Sequence, residues 1–193
     1  EFGKMQFIKY RKTDFDKDKD RNKEWSERDC KPILFGMDHC NAEESEVLIL
    51  TEGQIDSLSV VEAFDGEVNA VSVPTGAKGF TWVPYCWDFM SQYKTLIVFG
   101  DHENGHITLL EEMQKRFNGV IKHVRPEDYQ DCKDANELLI RHGKQAVIDA
   151  VNQAIIVKNK RIKKLSEVQS KNMAQVPGIN TGIAQLDKML GGF

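Results

Sequence analysis

Four acidic residues stand where two short apolar runs end. Leu-Ile-Leu-Thr gives way to Glu52-Gly53, with Asp56 three residues further on, and Leu-Ile-Val-Phe-Gly gives way to Asp101-His102-Glu103. Asp101 and Glu103 are two apart and point the same way in extended chain. If the two runs are neighbouring strands, about 4.8 Å apart, Glu52 and Asp101 converge without further assumption. Three carboxylates at one sheet edge repel each other unless a cation neutralises them. Oxygen-only donors suit Mg²⁺ or Mn²⁺. Such ions clamp phosphate oxygens and lower the pKa of an attacking hydroxyl or water, so the chemistry they point to is phosphoryl transfer.

The ordinary alternative is helix capping, because acidic residues after strands favour the positive end of the next helix. Taken singly, Asp101 or Glu103 reads that way. The conjunction of E-G-x-x-D after one strand with D-x-E after another is what favours a metal. Glu52 is the least ordinary of the set, since Gly53 lets backbone or a phosphate come close. Asp134 precedes ANELLIRH with Glu137 three residues on, a capping box that Gly143 closes.

The elements that must position these acids follow from the hydrophobic pattern. VLILT (47–51), NAVSV (69–73), TLIVF (95–99) and VIKHV (120–124) are β-branched apolar runs of the kind buried on both faces of a sheet. Between them, Ile55, Leu58, Val61 and Phe64 form one helical stripe, and Ile107, Leu110, Met113 and Phe117 another. The aromatic stretch 82–93 holds a short helix starting near Pro84. A second stripe, Val147, Ile148, Val151, Ala154 and Ile155, follows Gly143. Strand–helix alternation predicts right-handed βαβ units, hence an α/β fold with about four parallel strands flanked by helices. Residues 33–36 read as a short strand ending in a turn, and the charged run KTDFDKDKDRNKEWSERD as a solvated hairpin or loop. The closing stretch predicts a helix from Thr181 to Gly191.

Composition narrows the function. With 193 residues there is room for one domain and a tail. The 26 basic and 30 acidic residues give a net charge of −4, so any polyanion must meet a local patch or a bridging metal. No run is long enough for a membrane span. Cys30, Cys40, Cys86 and Cys132 never form a C-x-x-C pair, which excludes a zinc ribbon and points to a reducing, cytoplasmic setting. His39, Cys40, His102 and His106 have no zinc spacing, and Trp82, Tyr85, Trp87, Phe89 and Tyr93 read as cover for a sheet face.

Over roughly residues 33–143 the chain resembles the TOPRIM domain, shared by DnaG-type primases, type IA and type II topoisomerases, small repair proteins and some nucleases. It is most similar to the DnaG-related, Twinkle-like group of phage-type primase–helicases. LTEGQIDSLSVVEAF looks like that group's first motif and AVSVPTGA like its second strand and turn. VFGDHENG sits where its D-x-D motif belongs, and CKDANELL looks like its closing motif. KYRK followed by LFG is similar to the subdomain before TOPRIM, and GINTGIAQLDKMLGGF to the lead-in of a RecA-like helicase.

The resemblance implies roles. Glu52 is a metal ligand or general acid/base, and with Asp101 it forms the catalytic pair. Asp56 is the second acid of the first motif, Asp101 and Glu103 are the two metal-binding acids, and Asp134 completes the cluster around Mg²⁺ or Mn²⁺. Lys9 and Arg11 hold the incoming nucleotide's phosphates, and Lys78 and Lys133 are counted with them as nucleotide- or DNA-binding. Two positions depart from the family pattern. Glu103 stands where aspartate is usual, and His106 where a glycine is, with Gly105 one place early. Aligning on that glycine instead puts Gly100 and His102 in the acidic slots.

The expected organisation is a partial N-terminal primase subdomain (4–46), a TOPRIM domain (47–143), a helical basic linker (144–177) and the start of a truncated helicase domain (178–193). The expected function is Mg²⁺-dependent RNA primer synthesis on single-stranded DNA from ribonucleoside triphosphates, within a protein whose helicase domain forms a hexameric ring. The alternatives are a catalytically degenerate TOPRIM serving as DNA-binding or assembly module of a replicative helicase, and a metal-dependent nuclease. The isolated 193 residues are expected to make no primers.

Overall fold

The fold is α/β. In the computed structural model, residues 5–16, 18–75, 79–102, 107–157 and 182–190 are described. The chain divides into two units, 1–157 and 158–193. In the second, the described element is a helix, Ala184–Leu190, in which Leu186 is exposed, as is Ile183 just before it. The helix boundaries expected at Thr181 and Gly191 and the basic cluster Lys158–Lys164 lie outside the described residues.

The first unit opens with an antiparallel ribbon of β1 (Lys9–Arg11) and β2 (Glu24–Ser26), with Lys9 opposite Ser26 and Arg11 opposite Glu24. The charged run between them is therefore a hairpin. Its turn is held by ion pairs such as Lys12–Asp20 at 2.7 Å.

Four parallel strands follow: β3 (Val47–Thr51), β4 (Ala70–Ser72), β5 (Thr95–Phe99) and β6 (Val120–His123). Both faces of the sheet are covered, which is why these runs are apolar throughout: Leu48, Ile49, Leu50, Leu96 and Val98 are fully buried. The order is β4-β3-β5-β6, so the strand before Glu52 lies beside the strand before Asp101, with Thr51 opposite Phe99. Phe35 caps the free edge of β4 with an antiparallel bridge to Ser72, and Gly36 turns the chain away at φ +91°.

The helices are α1 (Gln54–Ala63), α2 (Val83–Met90, Pro84 in its first turn), α3 (Thr108–Arg116) and α4 (Ala135–Asn152). Gly143 breaks α4 at φ +80°, ψ 179°, a conformation open essentially to glycine. Trp82 and Tyr93 are buried, whereas Tyr85 is exposed.

Two expectations are corrected. The stripe Ile55–Leu58–Val61–Phe64 is not the buried face of α1. Ile55 and Leu58 are about half exposed, and the buried residues are Asp56, Ser57, Ser59, Val60 and Ala63. Steps of three residues precess by about 60° each on an α-helix, so Ile55 and Phe64 lie on opposite sides. Small residues face α4 instead, and Ser59 bonds Asn136 at 3.2 Å. The second concerns Ile155, expected in a helix. The chain leaves α4 after Asn152 and returns as a fifth strand, β7 (Ile155–Ile156), antiparallel to β6. β-branched isoleucines favour this extended course, and β6 thereby gains a neighbour on its open edge.

Among the described residues no helix is long and apolar enough to cross a membrane.

Candidate functional site

The carboxyl ends of β3 and β5, the start of α1 and the start of α4 meet at one end of the sheet. They bring together Asp56, Asp101 and Asp134, each offering one carboxylate oxygen within 4.8 Å of the others. Asp56 comes from the first turn of α1, Asp101 from just beyond β5, and Asp134 from the N-cap of α4.

Each is held by backbone or by charge. Asp56 Oδ1 accepts from Asn136 N–H at 3.1 Å, which ties α1 to the first turn of α4. Asp134 Oδ1 accepts from Glu137 N–H at 2.8 Å, the expected cap, and Lys133 Nζ lies 3.4 Å from its other oxygen. Asp134 thus caps a helix and faces the cluster at once. Lys133 is more than half exposed, and its pKa is raised chiefly by Asp134.

Gly53 and Gly100 are required by these acids. A Cβ on Gly53 would lie 2.4 Å from Asp56 Oδ2, and one on Gly100 would lie 3.1 Å from Glu52 Oε1 and 2.8 Å from an Ile107 methyl. The glycine of E-G-x-x-D therefore makes room for the aspartate of the same motif. Glu52 stands beside the triad: its Oε1 accepts from Asp101 N–H at 3.3 Å. Of the sequence candidates, Asp56, Asp101, Asp134 and Glu52 gather here. Glu103 and Lys78 lie outside the described residues.

His102 does not join the acids. Its N–H donates to Lys133 O at 2.7 Å and its ring stacks on Tyr129, centroids 5.0 Å apart. Tyr129 is a residue that sequence reading missed. It is buried, packs edge-on against Phe99, and donates its hydroxyl to Gly100 O at 2.8 Å. The single turn carrying it, Pro126–Tyr129, is fixed by a two-pronged bond from Arg125 to Asp128, both at 2.7 Å. Burial, and then the charges of Asp101, Glu52, Asp56 and Asp134, push the phenol's pKa up. An aromatic in a turn carries no sequence signal for this task.

The electrostatics suit a cation. Burial, then the charge of Asp134 and that of Asp101, push Asp56 up to about 6, against the opposing pull of the Asn136 and Gly53 N–H groups. Two carboxylates about 4.8 Å apart repel by roughly 3 kcal/mol at an effective dielectric constant of about 20. Three oxygen donors with no nitrogen or sulfur among them fit Mg²⁺ or Mn²⁺.

The acids line a cleft of about 500 Å³ whose other wall is the β1–β2 ribbon, with Lys9, Arg11, Glu24 and Trp25. Lys9 Nζ bonds Gln54 Oε1 at 3.3 Å, fastening the ribbon to the start of α1. Both cations share one carboxylate: Lys9 lies 2.7 Å and Arg11 3.3 Å from the two oxygens of Glu24.

No protein-family model matches the chain, and no curated protein matches it. Solved structures do. The primase fragment of the bacteriophage T7 primase–helicase protein is similar over 61% of this chain and 47% of its own, at 24% identity and TM-score 0.51. The Aquifex aeolicus primase (zinc-binding and RNA polymerase domains) is similar over 80% of this chain and 38% of its own, at 18% identity and TM-score 0.62. The RNA polymerase domain of Mycobacterium tuberculosis primase DnaG, in complex with a double-stranded DNA oligomer with a 6-nucleotide overhang, is similar over 77% of this chain and 49% of its own, at 19% identity and TM-score 0.56. The chain thus spans less than half the length of each of these structures. At these identities the likeness is one of fold: a mostly parallel α/β sheet with a small antiparallel ribbon before it, as in primase domains.

Proposed function

We propose that this chain is the TOPRIM module of a primase–helicase-type replication protein, serving Mg²⁺- or Mn²⁺-dependent synthesis of RNA primers on single-stranded DNA. The observation that carries this reading is one cleft with Asp56, Asp101, Asp134 and Glu52 on one wall and Lys9 and Arg11 on the other. The DNA-bound state of the Mycobacterium tuberculosis neighbour supports nucleic acid as the partner.

Asp56, Asp101 and Asp134 would hold the cation, with Glu103 as a further proposed ligand. When bound, a divalent cation polarises phosphate oxygens and lowers the pKa of an attacking hydroxyl. Glu52, fixed by the Asp101 N–H, is the carboxylate placed to take that hydroxyl's proton. Lys9 and Arg11 bind the triphosphate, and Lys133 adds positive charge beside Asp134, with Lys78 as a further proposed nucleic-acid contact. Each incoming phosphate must compete with Glu24 for the two cations.

In this reading residues 4–46, 47–143, 144–177 and 178–193 are the primase subdomain, TOPRIM domain, linker and start of a helicase domain of a longer cytoplasmic protein that assembles as a hexamer. The test is incorporation of labelled ribonucleotides on single-stranded templates by that parent protein and by its Glu52→Gln variant. Synthesis by the parent, lost in the variant, is expected, and none from the 193 residues alone. A parent that unwinds DNA without making primers would move the assignment to a structural module of the helicase.

A further inference from the structure

Asp101 emerges from β5 between Gly100 and His102, and one buried tyrosine touches both of these neighbours. The Tyr129 hydroxyl donates to Gly100 O at 2.8 Å, and its ring stacks on the His102 imidazole with centroids 5.0 Å apart and planes 29° from parallel. His102 Nε2 is buried and has no hydrogen-bond partner among the described residues, so the stack, not a bond from that nitrogen, orients the ring. Backbone completes the hold. His102 N–H donates to Lys133 O at 2.7 Å, and Lys133 immediately precedes Asp134. The segment from Tyr129 to Asp134 is therefore joined at both ends to the segment from Gly100 to His102, and each segment carries one acid of the cluster.

Gly100 explains why Asp101 needs such a brace. A Cβ there would lie 3.1 Å from Glu52 Oε1, and the glycine that avoids it is the residue that restrains backbone least. The Tyr129 hydroxyl supplies the missing restraint. Burial beside the acids raises the phenol's pKa and keeps it protonated, hence a donor. The brace has an anchor of its own: Cys132 N–H bonds Tyr129 O at 2.8 Å. Directly after Tyr129, Gln130 and Asp131 both take left-handed backbone, at φ +48° and +66°. Such strain persists only where the surroundings over-determine it. Packing alone asks only for a ring at position 129, since phenylalanine would meet Phe99 edge-on and His102 face-on equally well.

We propose that Tyr129 is a positioning residue that fixes the spacing of Asp101 from Asp134 and so fits the cluster to Mg²⁺ or Mn²⁺ in preference to Ca²⁺. This rests on the metal reading of the acids. Mg²⁺ demands oxygens at about 2.0–2.1 Å in a near-ideal octahedron, whereas Ca²⁺ tolerates about 2.3–2.6 Å and a flexible shell. Asp56 and Asp134 are already held by the Asn136 and Glu137 N–H groups, so the hold on Asp101 decides how far the cluster can open.

The test is calorimetric titration of the 193-residue protein with Mn²⁺ and, separately, with Ca²⁺, for the parent, Tyr129→Phe and His102→Ala. The parent should hold Mn²⁺ more tightly than Ca²⁺. Tyr129→Phe keeps the ring and should lower Mn²⁺ affinity by roughly 10-fold, the low end for loss of an outer-shell partner. Ca²⁺ affinity should stay unchanged, so the preference narrows by the same factor. His102→Ala removes the stack, keeps the hydroxyl and should narrow the preference in the same direction. A packing role alone would lower both affinities together. Equal loss of both cations would therefore overturn the assignment, as would a parent that holds Ca²⁺ as tightly as Mn²⁺. An unchanged preference in Tyr129→Phe, or in His102→Ala where Tyr129→Phe does not fold, would overturn it too. A parent that binds neither cation would overturn the metal reading itself, and the role of Tyr129 with it.

Discussion

Replacing Asp56 with asparagine should stabilise the cation-free protein at neutral pH and abolish its response to divalent metal. The carboxyl is buried, accepts from the Asn136 and Gly53 N–H groups, and ionises at about 6 instead of 3.8 because of burial and the charges of Asp134 and Asp101. An acid whose folded pKa is raised binds its proton more tightly when folded. Its contribution is fully present below pH 4 and is lost as pH rises through about 6. The shift corresponds to about 3 kcal/mol at neutral pH as an upper bound. Asparagine cannot ionise, and it keeps an oxygen for the Asn136 N–H. Its amide, however, presents a donor where the Gly53 N–H needs an acceptor, a cost of about 1 kcal/mol. The net gain is roughly 1–2 kcal/mol at neutral pH, or about 2–8 °C in Tm for a domain of this size. Thermal melts in a chelator should therefore show the variant above the parent at neutral pH and below it near pH 4. Millimolar Mg²⁺ should raise the parent's Tm at neutral pH and leave the variant's unchanged. A variant less stable than the parent at every pH, or equally stabilised by Mg²⁺, would refute the picture of a repulsive acidic site awaiting a cation.

Three further outcomes are expected. Gly53→Ala places a Cβ 2.4 Å from Asp56 Oδ2. It should cost roughly 1–3 kcal/mol in denaturant melts and remove the Mg²⁺ response. Tyr129→Phe deletes the 2.8 Å bond to Gly100 O and should cost about 1–2 kcal/mol and weaken Mn²⁺ binding in a calorimetric titration, since Gly100 precedes Asp101. Glu24→Gln frees the cations that Glu24 pairs, so oligonucleotide affinity measured by anisotropy should rise; a fall would mean that Glu24 is needed to order them.

The sheet was legible because strands buried on both faces leave uninterrupted β-branched runs, and those runs fix which acids emerge at its carboxyl end. That is how Glu52 and Asp101 could be placed near each other from spacing alone, once β3 and β5 were taken as neighbours. The partnership of Asp56 with Asp134 was harder to read. It depends on α1 turning its small and polar side toward α4, and the hydrophobic stripe of α1 points elsewhere. Two of the stripe's residues, Ile55 and Leu58, are left half exposed. Asp134 read equally well as a cap, and the structure shows the cap and the cluster together. Tyr129 and β7 were invisible for different reasons. A buried hydroxyl's partner 29 residues away leaves no periodic trace, and two isoleucines after a helix continue its pattern as readily as they begin a strand.

The central claim is a divalent cation held among these carboxylates, and anomalous diffraction from a crystal soaked in Mn²⁺ tests it most directly. The account predicts a peak between Asp56, Asp101 and Asp134 with Glu52 beside it, lost in Asp101→Asn. Saturating Mn²⁺ with no peak at the triad, or a peak there that survives Asp101→Asn, would contradict it.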